Sequence, residues 1–137
     1  MQTSIFLSLP TAQEISKNIT KLISKDSCGY DLVSNRTLKA TNLTISPYLE
    51  ILFTKCIKEG IFPDTYKIAQ VIPLFKGGDK EDSNCYRPIS LLPTISKILE
   101  KLLATRLINF LTKYNILSKD QFGFRAKFSK EYAIVDI

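Results

Sequence analysis

Apolar residues recur at helical spacing in three parts of this chain and gather into two β-prone runs in a fourth. Thr11-Ala12-Gln13-Glu14 has the capping-box pattern, in which Thr11 caps a helix and Glu14 reaches back to it. Ile15, Ile19, Leu22 and Ile23 follow on one stripe, predicting a helix from about Ala12 to Ile23. Ser27-Cys28-Gly29-Tyr30-Asp31 breaks it, with Gly29 the natural residue for a positive φ. A short helix around Val33 to Ala40, with Ser34 as its candidate cap, comes next. Ser46-Pro47 is a start signal, an N-cap followed by proline at the first helical position. Tyr48, Leu49, Leu52, Phe53, Cys56 and Ile57 then build a broad apolar face, and Gly60 is the expected stop.

From Tyr66 to Leu92 the pattern changes. Lys67 to Phe75 and Tyr86 to Leu92 are apolar runs separated by a polar stretch, Lys76 to Cys85. Gly77-Gly78-Asp79 supplies the turn chemistry that reverses a chain, which predicts a β-hairpin with a long exposed tip. Pro73 and Pro88 each remove a ladder donor and suit an edge or bulged ribbon. Pairing the runs brings Lys76 and Arg87 near each other at the tip end. Two readings of these cations stand at this point. One is a phosphate-binding ribbon, with Arg87 a bidentate partner and Lys76 a point charge. The other is a solvated hairpin whose acids Asp79, Glu81 and Asp82 neutralise them.

Pro93-Thr94 opens the longest helix. Ile95, Ile98, Leu99, Leu102, Leu103, Leu107, Phe110, Leu111 and Tyr114 hold a helical period over several turns, with Arg106 at the edge of the stripe. Gln121-Phe122-Gly123-Phe124-Arg125 then pairs a flexible backbone point with two aromatics and a guanidinium. That combination serves either to brace a nucleic-acid strand or to pack two core aromatics below an exposed arginine. Together these elements predict an α+β fold, mostly helical with one β-hairpin.

Composition narrows the chemistry. The 137 residues carry a net charge of +6 and no histidine, so the commonest general base and metal ligand is missing. The positive surplus permits nucleic-acid binding without establishing it. Cys28, Cys56 and Cys85 are an odd number without a CxxC pair, and read as reduced thiols of an intracellular protein, nuclear or cytoplasmic, with no zinc site. Ile5-Phe6-Leu7 is too short for a signal peptide or a membrane span. Glu131 to Ile137 reads as a helix or strand in progress, with no stop signal after it.

The motifs YKIAQVIPLFKGGDK, YRPISLLPTISKILEKLLATRL and QFGFR, in that order, resemble the opening motifs of reverse transcriptases from non-LTR (LINE-type, Jockey-like) retrotransposons. Glu14-Ile15, Ser27 to Asp31 and Leu38-Lys39 are similar to the segment that precedes that domain. The resemblance implies a helical preceding segment over residues 1–63 and an incomplete fingers portion of a right-handed polymerase over 64–137. It implies that Arg87 touches the triphosphate of an incoming deoxynucleotide with Lys76 as partner, and that Gln121, Gly123 and Arg125 lie beside the template and nucleotide pocket. RNA or DNA is the implied partner, held weakly at best.

Two departures qualify it. Where the family has a Ser-Thr pair after QFGFR, this chain has Ser129-Lys130. The family's catalytic aspartates lie downstream of these motifs, and Asp136 is too close to QFGFR to be the first of them. Polymerase chemistry needs carboxylates that hold two divalent ions. The expectation is therefore a truncated polymerase fragment without catalytic or metal-binding residues, inactive alone, with magnesium belonging only to the complete enzyme. The alternative is a small non-catalytic nucleic-acid-binding or interaction protein. Without the rest of a polymerase, the long helix is expected to expose an apolar face that favours self-association.

Overall fold

The computed structural model describes residues 8–117. The order of elements is α1 (Ala12–Thr20), α2 (Asn35–Ala40), α3 (Asn42–Glu59), a 3-10 turn (Asp64–Lys67), β1 (Gln70–Phe75), a second 3-10 turn (Ser83–Cys85), β2 (Tyr86–Leu91) and α4 (Thr94–Lys113). The two strands form one antiparallel sheet, so the fold is α+β with a single hairpin. One compact unit spans Leu7–Leu103; the described part of a second is residues 104–117.

The core of the first unit comes from both sides of the hairpin in sequence. Ile15 and Ile19 of α1, Leu38 of α2, and Leu49 and Phe53 of α3 pack with Ile98, Leu99 and Leu102 of α4. Each such side chain contributes about 1.5–3 kcal/mol by leaving water. Polar groups carried into this interior are satisfied: among the described residues no buried side-chain nitrogen or oxygen lacks a partner.

Both expected caps are made. Thr11 Oγ1 accepts from Glu14 N at 3.2 Å, and Ser34 Oγ accepts from Thr37 N at 3.1 Å. Helix α1 stops at Thr20, short of the expected Ile23, which is 70% exposed. Gly60 ends α3 with φ 66°, as expected. The Ser46-Pro47 start signal is overturned, because α3 begins at Asn42 and carries Pro47 inside it. The Ser46 hydroxyl is buried and donates to Asn42 O at 2.7 Å, one turn back along the helix. Pro47 orphans only the carbonyl of Leu43, a residue open to solvent that water can serve. The buried stripe of α3 is correspondingly narrow: Leu49 and Phe53 are enclosed, while Tyr48 is exposed.

Gly29 is a second correction. It does not take a positive φ; Leu32 does, at 58°. Gly29 is required by space instead, since a Cβ there would lie 2.8 Å from Pro93 N. On α4, Ile98, Leu99 and Leu102 are enclosed, whereas Leu107, Ile108 and Tyr114 are exposed. None of the described helices is long and apolar enough to cross a membrane.

Two stability predictions follow from these local environments. Leu32 is 78% exposed yet held in the left-handed region, which costs a branched residue about 1–2 kcal/mol. Leu32→Gly is expected to raise unfolding stability by about 1 kcal/mol, read by urea denaturation. Burial pushes the Cys56 thiol and the Tyr66 phenol above their ordinary values. Both are acids kept neutral by the fold, so an unfolded chain ionises first as pH rises. Their stabilisation is complete below about pH 8 and falls as pH climbs through the raised values, which denaturation at stepped alkaline pH measures.

Candidate functional site

The hairpin register is unbroken, from Gln70 opposite Leu91 to Phe75 opposite Tyr86. Lys76 N continues the ladder with a 2.9 Å bond to Cys85 O. Directly opposed residues share a face and alternate residues return to it. Leu74 opposes Arg87, so Ile72, Leu74 and Lys76 of one strand lie on the same face as Ile89, Arg87 and Cys85 of the other. Lys76 and Arg87 are thus diagonal neighbours on one face, and both are exposed.

The loop between them is built from its own residues. Gly77 and Gly78 take φ of 114° and 101°, as the turn requires. Asp79 Oδ1 accepts from Glu81 N at 2.9 Å, and Asp82 Oδ1 accepts from Asn84 N at 2.9 Å. These are local Asx-type bonds, which Asp followed two residues later by a free N–H forms readily. Asp79 and Asp82 are thereby turned to the loop backbone. Neither Lys76 nor Arg87 forms an ion pair within 4.0 Å among the described residues, whereas Arg36 with Asp26 and Lys67 with Asp64 do. None of the loop acids thus reaches Lys76 or Arg87 within ion-pair distance.

Repulsion does not by itself demand a ligand. Diagonal neighbours on a ribbon sit roughly 7–8 Å apart, where two solvated like charges cost only about 0.5 kcal/mol. What the arrangement offers is two cations on one open face, next to the apolar side chains of Ile72, Leu74 and Ile89. That pairing of charge and apolar surface suits a phosphate attached to an organic group.

The pattern of residues alone did not single out Tyr86. Its ring packs on Phe75, with centroids 5.3 Å apart, and its hydroxyl donates to Lys80 O at 2.9 Å. It braces the loop from the face opposite the cations. The aromatic at the mouth of each strand was the available signal. The prolines also acquire a role. Lys76–Cys85 is a hydrogen-bonded pair, so in the alternating ladder Pro73 opposite Pro88 is a non-bonded one, whose nitrogens point outward. Each proline thus removes an outward donor and discourages a further strand from pairing. Gln121, Gly123 and Arg125 lie outside the described residues.

No protein-family model matches the chain. Curated relatives do. The chain is 38% identical over 130 residues to a probable RNA-directed DNA polymerase from transposon BS of Drosophila melanogaster, a match covering 91% of this chain and 14% of that protein. It is 37% identical over 125 residues to the RNA-directed DNA polymerase from mobile element jockey of the same species, covering 90% and 14%. Against the jockey polymerase of Drosophila funebris it is 34% identical over 130 residues, covering 91% and 14%.

The loop geometry predicts a strong response at Gly78. A Cβ there would lie 2.7 Å from Cys85 Sγ on a backbone with φ of 101°. Gly78→Ala is expected to weaken the hairpin by about 1–2 kcal/mol, seen as faster amide exchange at Lys76 while α3 amides are unchanged.

Proposed function

Because the chain belongs to the jockey-like RNA-directed DNA polymerases of non-LTR retrotransposons, spanning about 14% of the length of the relatives it matches, we propose that it supplies the fingers side of a nucleotide site. Lys76 and Arg87 hold the phosphates of an incoming deoxynucleotide. The observation that carries this reading is the hairpin register, which sets both cations on one exposed face with no acid of the loop paired to them. Arg87 offers a planar fork that grips two phosphate oxygens at once, and Lys76 adds a mobile point charge.

In this reading residues 1–63 form the helical segment ahead of the polymerase domain and 64–137 the fingers motifs. Gln121, Gly123 and Arg125 of the QFGFR motif line the pocket beside the template. RNA or DNA is the larger partner, inside the cell. The exposed Leu107, Ile108 and Tyr114 on α4 support self-association of this segment when it stands alone.

The reading stops at binding. Joining nucleotides needs carboxylates that hold divalent ions against the attacking and leaving oxygens. Among the described residues no three His, Cys, Asp or Glu side chains gather to hold a metal. No step of the reaction is assigned to the described residues. They bind and orient.

Primer extension on an RNA template with magnesium is expected to give no incorporation by the pure chain. Titration with dATP reads the phosphate role separately. Arg87→Ala is expected to weaken dATP binding about tenfold, Lys76→Ala less, and Arg87→Lys to restore only part because ammonium lacks the fork. Unchanged affinity in Arg87→Ala would sink the phosphate assignment.

A further inference from the structure

The hairpin cannot be aimed by its own packing. Every residue of β1 is exposed, and in β2 only the terminal Tyr86 and Leu91 are part-buried. A ribbon with water on both faces points wherever its base directs it. At that base Phe62 and Tyr66 pack against the core on the incoming side. There one short stretch of chain, Gly29 to Asn35, reaches the segments on both sides of the hairpin although it lies far from them in sequence.

The stretch is rigid. Leu32 N donates to Gly29 O at 3.1 Å, closing a turn, and Asp31 Oδ1 accepts from Val33 N at 3.2 Å. It touches both ends of the hairpin. On the incoming side, the Tyr30 hydroxyl donates to Thr65 O at 2.9 Å, five residues before β1. On the outgoing side, the Gly29 backbone lies against Leu92 and Pro93 so closely that a Cβ would come within 2.8 to 3.1 Å of their backbone atoms. Just beyond, the buried Thr94 Oγ1 lies 3.1 Å from Asn35 Oδ1 and 3.3 Å from Val33 O, sharing its proton between them. Asn35 is itself fixed, since its Nδ2 donates to Ile23 O at 2.9 Å.

We propose that Gly29, Tyr30 and Asn35, with Thr94, are positioning residues: a clamp that grips both ends of the hairpin and so aims Lys76 and Arg87 at the phosphates. The purpose of the clamp rests on the phosphate-holding role proposed above; its geometry does not. None of the clamp residues touches the ligand. They act by fixing a direction, and preorganisation of this kind raises affinity without adding a contact.

The test uses the full chain in solution. Residual dipolar couplings of the β1 and β2 amides are expected to fit the same alignment tensor as those of α3. Tyr30→Phe and Thr94→Val each delete one hydroxyl and little volume, and Gly29→Ala inserts a methyl group into the backbone contact. In each, the hairpin couplings are expected to need a separate, reduced tensor while α3 keeps its own. Binding of dATP is expected to fall about threefold or more, although Lys76 and Arg87 are intact. Thr94→Ser keeps the hydroxyl and is expected to restore both readouts.

Hairpin couplings that still fit the α3 tensor in Tyr30→Phe, Thr94→Val and Gly29→Ala would overturn the clamp. So would decoupled hairpins whose dATP affinity stays at the unaltered level while Arg87→Ala loses it. If instead Arg87→Ala binds dATP as before and the clamp variants still decouple the ribbon, the phosphate assignment falls and the clamp stands. Should Gly29→Ala fail to fold, the two hydroxyl deletions decide the matter.

Discussion

The backbone contact between Gly29 and the Leu92–Pro93 junction is the constraint on which the rest of the arrangement depends. Pro93 and Thr94 begin the helix whose first turns are buried in the core, so whatever touches them is referred to the rigid part of the molecule. Gly29 touches them from a segment that also leads into α2. Only glycine lets two backbones come this close, because any side chain would meet the proline ring nitrogen first. The hairpin therefore leaves and re-enters the helical unit at points fixed to each other.

Burial and exposure divide the labour on either side of that contact. Ile15, Ile19, Phe53, Ile98, Leu99 and Leu102 form an interior to which residues before and after the hairpin both contribute. The hairpin contributes almost nothing to it and keeps its apolar side chains in water. In a unit whose stability comes from one region, another is free to present chemistry instead. Pro73 and Pro88 fit this division, since a ribbon exposed on both edges invites a third strand unless outward donors are removed.

Much of this was legible in the residues, and the failures have physical causes. Caps at Thr11 and Ser34, the stop at Gly60 and the hairpin turn at Gly77-Gly78 are local, and local chemistry decided them. Pairing the two runs also brought Lys76 and Arg87 near each other at the tip end, but the register that sets them on one face was not legible across so long a loop. Ser46-Pro47 misled because a start signal presumes that the residues before it are not helical. Here a buried serine hydroxyl bonds one turn back and the proline's orphaned carbonyl faces solvent, so the helix runs through. Gly29 misled for the opposite reason. Its necessity comes from Pro93, which is distant in the chain, and no local pattern announces such an approach. Tyr30 and Thr94 were illegible for the same cause, since each acts through one hydroxyl whose partner is set by tertiary structure.

The distance from clamp to cations explains why small anchors matter. A strand advances about 3.4 Å per residue, so six residues place the tip roughly 20 Å from the base. A rotation of about 5° at the base then carries the tip through roughly 2 Å, while groups that bind a ligand productively must be held to about 0.5 Å. Each hydroxyl in the clamp is worth only about 1 kcal/mol as a hydrogen bond, too little to decide whether the chain folds. Amplified along the ribbon, the same bond decides where two charges are found. Stability and aim are thus separable in this molecule: the core among α1, α2, α3 and α4 sets the first, and the Gly29–Asn35 stretch sets the second.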